Sequence, residues 1–123
     1  MDGNYYANTW QGNFPSKNDC LDGYFGTAPT KEFYLNNYGI YQMIGNVWEW
    51  CLNPARIPLS SFNETTNEDF ISESTGYQHK DYAIRGGSFL CHSSYCNRYR
   101  VAARNGTTAN STSSNTGFRY VKI

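Results

Sequence analysis

The chain has no excess of charge of either sign and few charged residues at all. Ten Lys and Arg balance ten Asp and Glu, and together they make up only 16% of its 123 residues. An ordinary soluble domain carries about a quarter. Nothing in that balance points to nucleic acid or to an anionic membrane surface as a partner. Long apolar runs are also missing, so the sequence has no candidate for a membrane-spanning helix, which needs roughly 18 to 20 such residues. Met1 to Tyr6 has neither a basic region nor an apolar core, so no signal peptide is expected. Leu, Ile and Val are sparse. That argues against a helical bundle, which needs aliphatic stripes at a period of about 3.6 residues. No internal repeat is visible.

What the chain does have is aromatic side chains and turn formers. Eleven Tyr, seven Phe and three Trp stand among eleven Gly and many Asn, Ser and Thr, the composition of a loop-rich fold pinned by aromatics. The length allows one domain with a single modest core. Residues 8–29 read as loop and turn, punctuated by Gly12, Pro15, Asp22-Gly23 and Gly26. In segment 39–50 the Gly45-Asn46 pair is a turn signal, and the Val-Trp-Glu-Trp alternation after it suits a half-buried strand. Residues 53–80, polar and carrying Pro54 and Pro58, read as a long surface excursion. Tyr82 to Arg85 is expected to be a short strand ending at the Gly86-Gly87 turn, with Ser88 to Cys91 continuing it. Asn97 to Arg104 suits a strand or short helix, 105–116 a loop, and Gly117 to Val121 a closing strand.

The sharpest chemical feature is Cys91-His-Ser-Ser-Tyr-Cys96, two thiols just after a Gly-Gly turn. A turn at this spacing can bring both sulfurs to one metal or to each other. Soft thiolates select Cu(I), zinc or iron–sulfur clusters. Yet the spacing is not the short Cys-x-x-Cys of zinc ribbons, and no second pair completes a four-ligand cage. Two-coordinate Cu(I) or a redox disulfide fits better than structural zinc, and two buried thiols or a simple disulfide fit the spacing equally well. His92, between the cysteines, can serve as ligand or base, or be an ordinary hydrogen-bonded His. Asn8, Asp22, Asn46 and Glu49 are oxygen donors in loops, as calcium requires, but without EF-hand spacing they read equally as turn residues. Trp48 and Trp50 suit either a peptide groove or the core. Arg98, Arg100, Arg104 and Arg119 lack a Gly-rich phosphate loop beside them and are expected to pair with carboxylates or backbone carbonyls.

Several segments taken in order match a known family. They are Asn8-Thr-Trp-Gln-Gly12, Asp22-Gly-Tyr-Phe-Gly-Thr-Ala-Pro29, Asn37-Tyr-Gly-Ile-Tyr41, Gly45-Asn-Val-Trp-Glu-Trp50, Arg85-Gly-Gly-Ser-Phe-Leu-Cys91, Ser94-Tyr-Cys-Asn-Arg-Tyr-Arg100, Ala102-Ala-Arg104 and Asn115-Thr-Gly-Phe-Arg119. The chain resembles the sulfatase-modifying factor family and, within it, the formylglycine-generating enzymes. The resemblance covers residues 1–123 apart from the 53–80 excursion. The Gly-Asn-Val-Trp-Glu-Trp and Gly-Phe-Arg motifs are shared with relatives of other function, and the cysteine pair in its motif is much more specific to the oxidase.

The resemblance implies an irregular α+β, C-type-lectin-like fold with little regular secondary structure. It also implies copper-dependent oxidation, by dioxygen, of the cysteine in a sulfatase Cys-x-Pro-x-Arg segment to formylglycine. Cys91 and Cys96 would bind Cu(I), and the substrate cysteine would join as a third sulfur ligand. Ser88 and Trp48 match positions of the dioxygen and copper pocket, Asn115 matches a substrate contact, and His92 and Tyr95 match their surroundings. One calcium site would use the Asn8 and Asp22 side chains with the Thr9 and Tyr24 carbonyls. A second would use the Gly45 and Val47 carbonyls with the Glu49 carboxylate and Gln42, at a position that is Asp or Asn in the family. The family domain is about twice this length, so the chain is expected to be its C-terminal, cysteine-bearing portion, completed by an N-terminal half. Val101 and Tyr120 stand where secreted relatives carry disulfide cysteines, which favours a prokaryote-like, cytoplasmic setting. Cys20 and Cys51 match no catalytic position. A non-catalytic lectin-like binding domain on the same scaffold, or an inactive fragment, is the alternative reading.

Overall fold

The structure is a computed structural model of the chain and describes residues 4–58, 60 and 81–122. The N-terminal part is loop, fastened by one small hairpin. Strands β1 (Gly12–Asn13) and β2 (Lys17–Asn18) pair antiparallel with Gly12 opposite Asn18, and Phe14–Pro15, a cis peptide, lies in the turn between them. The remaining strands are β3 (Trp48–Pro54), β4 (Asp81–Arg85), β5 (Asn105–Thr108) and β6 (Thr116–Gly117). They form one sheet in the order β5-β4-β3-β6, antiparallel except for the β3–β6 pair. Mostly strand and loop, with almost no helix among the described residues, this is the irregular architecture that the resemblance implies.

Strands β3 and β4 are central, and their sequences show it. Tyr82, Ala83 and Ile84 are buried in succession; a strand covered on both faces reads as a continuous apolar run rather than an alternation. Trp50 lies opposite Ile84 and Glu49 opposite Arg85, and an irregularity between Trp50 and Pro54 shifts the register before Pro54 meets Tyr82. The core built on this pair is small. Trp48, Ile84 and Cys91 form its buried centre, with Trp50, Cys96 and Tyr99 packed against it. The Cys91 thiol is thus part of the core.

Buried amides supplement the sparse apolar core. The Asn46 side-chain oxygen accepts from the Ala28 amide at 2.8 Å and from Asn8 Nδ2 at 3.1 Å, while its nitrogen donates to the Ala28 carbonyl at 3.2 Å. Asn46 therefore fastens three loops and is not a spare oxygen donor. Gly45 is required beside it. Its φ is +76°, and a Cβ there would stand 2.4 Å from the Asn8 carbonyl oxygen. The Gly45 amide donates to the Gly86 carbonyl at 2.8 Å, which joins these loops to the loop that leads to the cysteines.

Several local expectations are corrected. Ser88 to Cys91 does not continue β4. The Cys91 amide donates back to the Ser88 carbonyl at 2.9 Å, closing a turn. Asn97 to Arg104 forms turns, with the Arg100 side chain and the Ala103 amide bonded within the segment. Asn105 to Thr108, expected to be loop, is strand β5, because β4 supplies a ladder partner to each of its residues. Gly106 also lacks a side chain where a Cβ would meet Ala55 Cβ at 2.5 Å. The closing strand is confined to Thr116–Gly117, paired with Trp48 and Glu49, and Phe118 and Tyr120 lie exposed beyond it. The 53–80 excursion starts later than expected, since Pro54 belongs to β3. Most of that span lies outside the described residues.

Candidate active site

The spacing of the cysteine pair is resolved by a single backbone turn. The His92 carbonyl accepts from the Tyr95 amide at 3.1 Å and from the Cys96 amide at 2.7 Å, which curls the chain and returns Cys96 to Cys91. Their sulfurs lie 2.7 Å apart. All four cysteines are free thiols. Trp10 fastens the turn from the other side, its amide donating to the Cys91 carbonyl at 3.0 Å.

Around the thiols opens a cleft of about 530 Å³, whose lining includes Trp48, Ser88, Cys91, Tyr95, Cys96 and Asn115. Ser88 is fully buried. Its hydroxyl oxygen accepts from Asn115 Nδ2 at 3.0 Å and from the Leu90 amide at 3.3 Å. The Asn115 carbonyl in turn accepts from the Trp48 amide at 2.7 Å. Ser88, Asn115 and Trp48, far apart in sequence, are thus one hydrogen-bonded group beside the sulfurs. Burial pushes the Cys91 thiol up to about 12, reinforced by its hydrogen bond with Cys96 and opposed by hydrogen bonds with Ser88. Cys91 is therefore a neutral thiol at physiological pH, and any metal it binds must displace its proton.

His92 is not among the residues that line the cleft. Its Nδ1 accepts from the Ser94 amide at 3.2 Å and meets Ser94 Oγ at 2.6 Å, so its side chain caps the turn that holds the cysteines. Four cleft residues were missed in the sequence: Phe14, Leu90, Arg98 and Asn105. Phe14 stacks on Tyr95 with ring centroids 4.5 Å apart. No sequence signal connects that pair, which lies on different loops.

The oxygen-rich loops lie on the other side of the Gly45–Gly86 link. Asp22 Oδ2 accepts from the Thr9 amide at 3.1 Å and from Gln11 Nε2 at 2.8 Å, and Oδ1 accepts from the Tyr24 amide at 3.0 Å. Asn8 Nδ2 donates to the Gly26 carbonyl at 2.7 Å, while Asn8 Oδ1 is buried with no hydrogen-bond partner. At the second group, Gln42 has a φ of +50° and its Oε1 is also buried without a partner. Glu49 is held by Arg119, with Nε to Oε2 at 2.6 Å and a second contact from the other guanidinium nitrogen to Oε1. Arg119 also donates to the Tyr41 and Gln42 carbonyls at 3.1 Å. Gly45 is buried and Val47 half-buried, next to this pair in sequence. As expected, Arg100, Arg104 and Arg119 all bond carbonyls or a carboxylate. Among the described residues no group of three or more His, Cys, Asp and Glu side chains converges as a metal site, and no helix is long and apolar enough to cross a membrane.

Comparison with known proteins bears on this arrangement. Residues 1–123 match the sulfatase-modifying factor enzyme 1-like domain. The formylglycine-generating enzyme of Mus musculus is 47% identical over 117 residues, which is 95% of this chain and 30% of the mouse protein. That of Thermomonospora curvata is 46% identical over 118 residues, 95% of this chain and 38% of the relative. A mouse protein named inactive C-alpha-formylglycine-generating enzyme 2 is 35% identical over 116 residues, 92% of this chain and 32% of its own length. The chain thus spans about a third of the length of the curated relatives it matches. On the domain match over all its residues, the chain belongs to the sulfatase-modifying factor family.

Proposed function

We propose that this chain carries the thiol side of a formylglycine-generating active site, in which Cys91 and Cys96 hold Cu(I). The observation that carries this is the pair of sulfurs 2.7 Å apart at a cleft that also presents Ser88, Asn115 and Trp48. Two adjacent thiols are a soft donor set that suits Cu(I). Copper, when bound, would supply activation of dioxygen and a docking point for the substrate sulfur. Oxidising a cysteine side chain to the aldehyde with loss of hydrogen sulfide removes two electrons. Dioxygen reduced to water takes four, so two more electrons come from a reductant, a thiol by chemical class.

The chain's own residues would do the positioning. The Ser88–Asn115 hydrogen bond fixes two polar groups at the cleft, Trp48 closes its inner side from the core, and the Phe14–Tyr95 stack forms an aromatic wall for an extended Cys-x-Pro-x-Arg peptide. Because the chain is only about a third as long as its relatives, we assign the rest of the substrate pocket to further family-domain sequence, on the same polypeptide or another. We also propose calcium at the Asn8–Thr9–Asp22–Tyr24 loops and at Gln42, Gly45, Val47 and Glu49. Each group contains a buried amide oxygen without a hydrogen-bond partner, which suits a hard cation. Four free thiols suit a reducing compartment, and we place the chain in the cytoplasm.

Cu(I) titration tests the centre of this reading. The parent chain is expected to take up one Cu(I), and Cys91→Ser and Cys96→Ser to lose that binding. A Ser variant that binds as tightly as the parent overturns the copper assignment. With copper, oxygen, a thiol reductant and a Cys-x-Pro-x-Arg peptide, the parent should convert the peptide thiol to an aldehyde. Copper binding with the thiol left intact would show that this chain by itself is non-catalytic.

A further inference from the structure

We propose that Gln11 is the positioning residue for the first calcium site, orienting the Thr9 carbonyl and the Asp22 carboxylate toward the cation. The inference rests on the calcium reading above. It begins with Asn8, one of the most deeply buried polar residues, at 1% exposure. Its nitrogen is fixed by two acceptors, the Gly26 carbonyl and Asn46 Oδ1. The amide therefore cannot be reversed without losing both bonds, and Oδ1 is the atom left over. A buried oxygen without a donor is costly and calls for a ligand.

Gln11 stands next to that site and touches two of its expected ligands at once. Its Nε2 donates to Asp22 Oδ2 at 2.8 Å and also to the Thr9 carbonyl, and its Oε1 accepts from the Asp22 amide at 3.2 Å. The Gln11 backbone is itself anchored, its carbonyl accepting from the Asp19 amide at 2.7 Å. Counting lone pairs shows what remains. Asp22 Oδ2 already accepts two hydrogen bonds, Oδ1 accepts one from Tyr24, and the Thr9 carbonyl accepts one from Gln11. One position is thus left on Oδ1 and one on the Thr9 oxygen, and the oxygen of the preceding residue, Asn8, has no partner. Gln11 occupies one lone pair on each of the Asp22 and Thr9 ligands and leaves the others for a cation. An outer partner of this kind fixes ligand orientation and typically contributes about 10- to 100-fold in metal affinity. A neutral amide suits the task, because a carboxylate here would repel Asp22 and offer no donor to either oxygen.

The test is calorimetric titration of the full chain with calcium alone. The variants are Gln11→Met, which keeps the length without donors, and Gln11→Asn, which keeps the amide but is too short to bridge both oxygens. Ile84→Val, a packing loss away from these loops, is the control for general destabilisation. Both Gln11 variants should weaken one calcium-binding event by about 10- to 100-fold, while Ile84→Val leaves the affinity unchanged. Unchanged affinity in the Gln11 variants overturns the positioning role, and tighter binding overturns it by showing that Gln11 competes with the cation. Either result leaves the calcium site standing. A parent chain that binds no calcium overturns the calcium reading and this inference together.

Discussion

The two sides of the Gly45–Gly86 link are built by different means. On one side, loops 8–29 and 42–46 are held by buried amides whose hydrogen bonds reach across long sequence separations. On the other, the cysteine turn and its cleft rest on Trp48, Ile84 and Cys91, a very small apolar centre. Both sides leave large apolar side chains uncovered, with Leu21 60% and Phe25 76% exposed on the first, and Tyr95 72% and Val101 85% on the second. The first region also reaches the second directly, through the Trp10 amide on the Cys91 carbonyl and the Phe14–Tyr95 stack. Uncovered apolar surface on both sides is in keeping with a chain about a third as long as its relatives. In a fold with few aliphatic residues, hydrogen bonds position what packing cannot, and each buried amide becomes costly to remove.

The comparison can be broken most severely at the link. Gly45→Ala would force a methyl against the Asn8 carbonyl at a φ that disfavours side chains. It should cost about 3 kcal/mol or more in thermal or urea unfolding. A loss below about 1 kcal/mol would mean that the two regions are not held together there. Next in size is a contrast between regions. Asn46→Ala strands both backbone groups of Ala28 and removes one of the two acceptors of Asn8 Nδ2, and should cost about 2 to 4 kcal/mol. Asn115→Ala, which frees a half-buried Ser88 bond, should cost only about 1 kcal/mol. Equal losses would erase the distinction between an amide-built and a thiol-built side.

The last contrast concerns pH and is absent near neutrality. The Cys91 thiol titrates higher in the folded chain than its ordinary value of 9.0, at about 12. Its contribution to stability is therefore complete below about pH 9 and is lost as pH rises toward 12. Unfolding midpoints measured across that range should fall more steeply in the parent than in Cys91→Ala. Matching slopes would place the buried charge penalty elsewhere.

Much of the site was legible in the sequence because its residues occur in short ordered motifs. Ser88, Cys91 and Cys96 follow one glycine pair, and the turn that joins the sulfurs needs only local hydrogen bonds. The β4 strand was legible for the same reason, as an apolar run between turns. Strand β5 was not, because Asn-Gly-Thr-Thr has the composition of a loop and becomes a strand only when β4 offers it a ladder. The Phe14–Tyr95 wall and the Gln11 bridge were equally hidden, each joining residues on separate loops or turning on side-chain direction.

The sequence by itself determined the family, the thiol pair and the loop-rich character, since these depend on residue types at fixed local spacing. The tertiary structure decided which polar groups are spent and which are left over. Asn46 and Asn8 are both buried loop asparagines, yet both polar atoms of Asn46 are hydrogen-bonded while Asn8 keeps one oxygen without a partner. That difference arises only when distant loops meet, because hydrogen-bond satisfaction is a property of the whole neighbourhood and not of the residue.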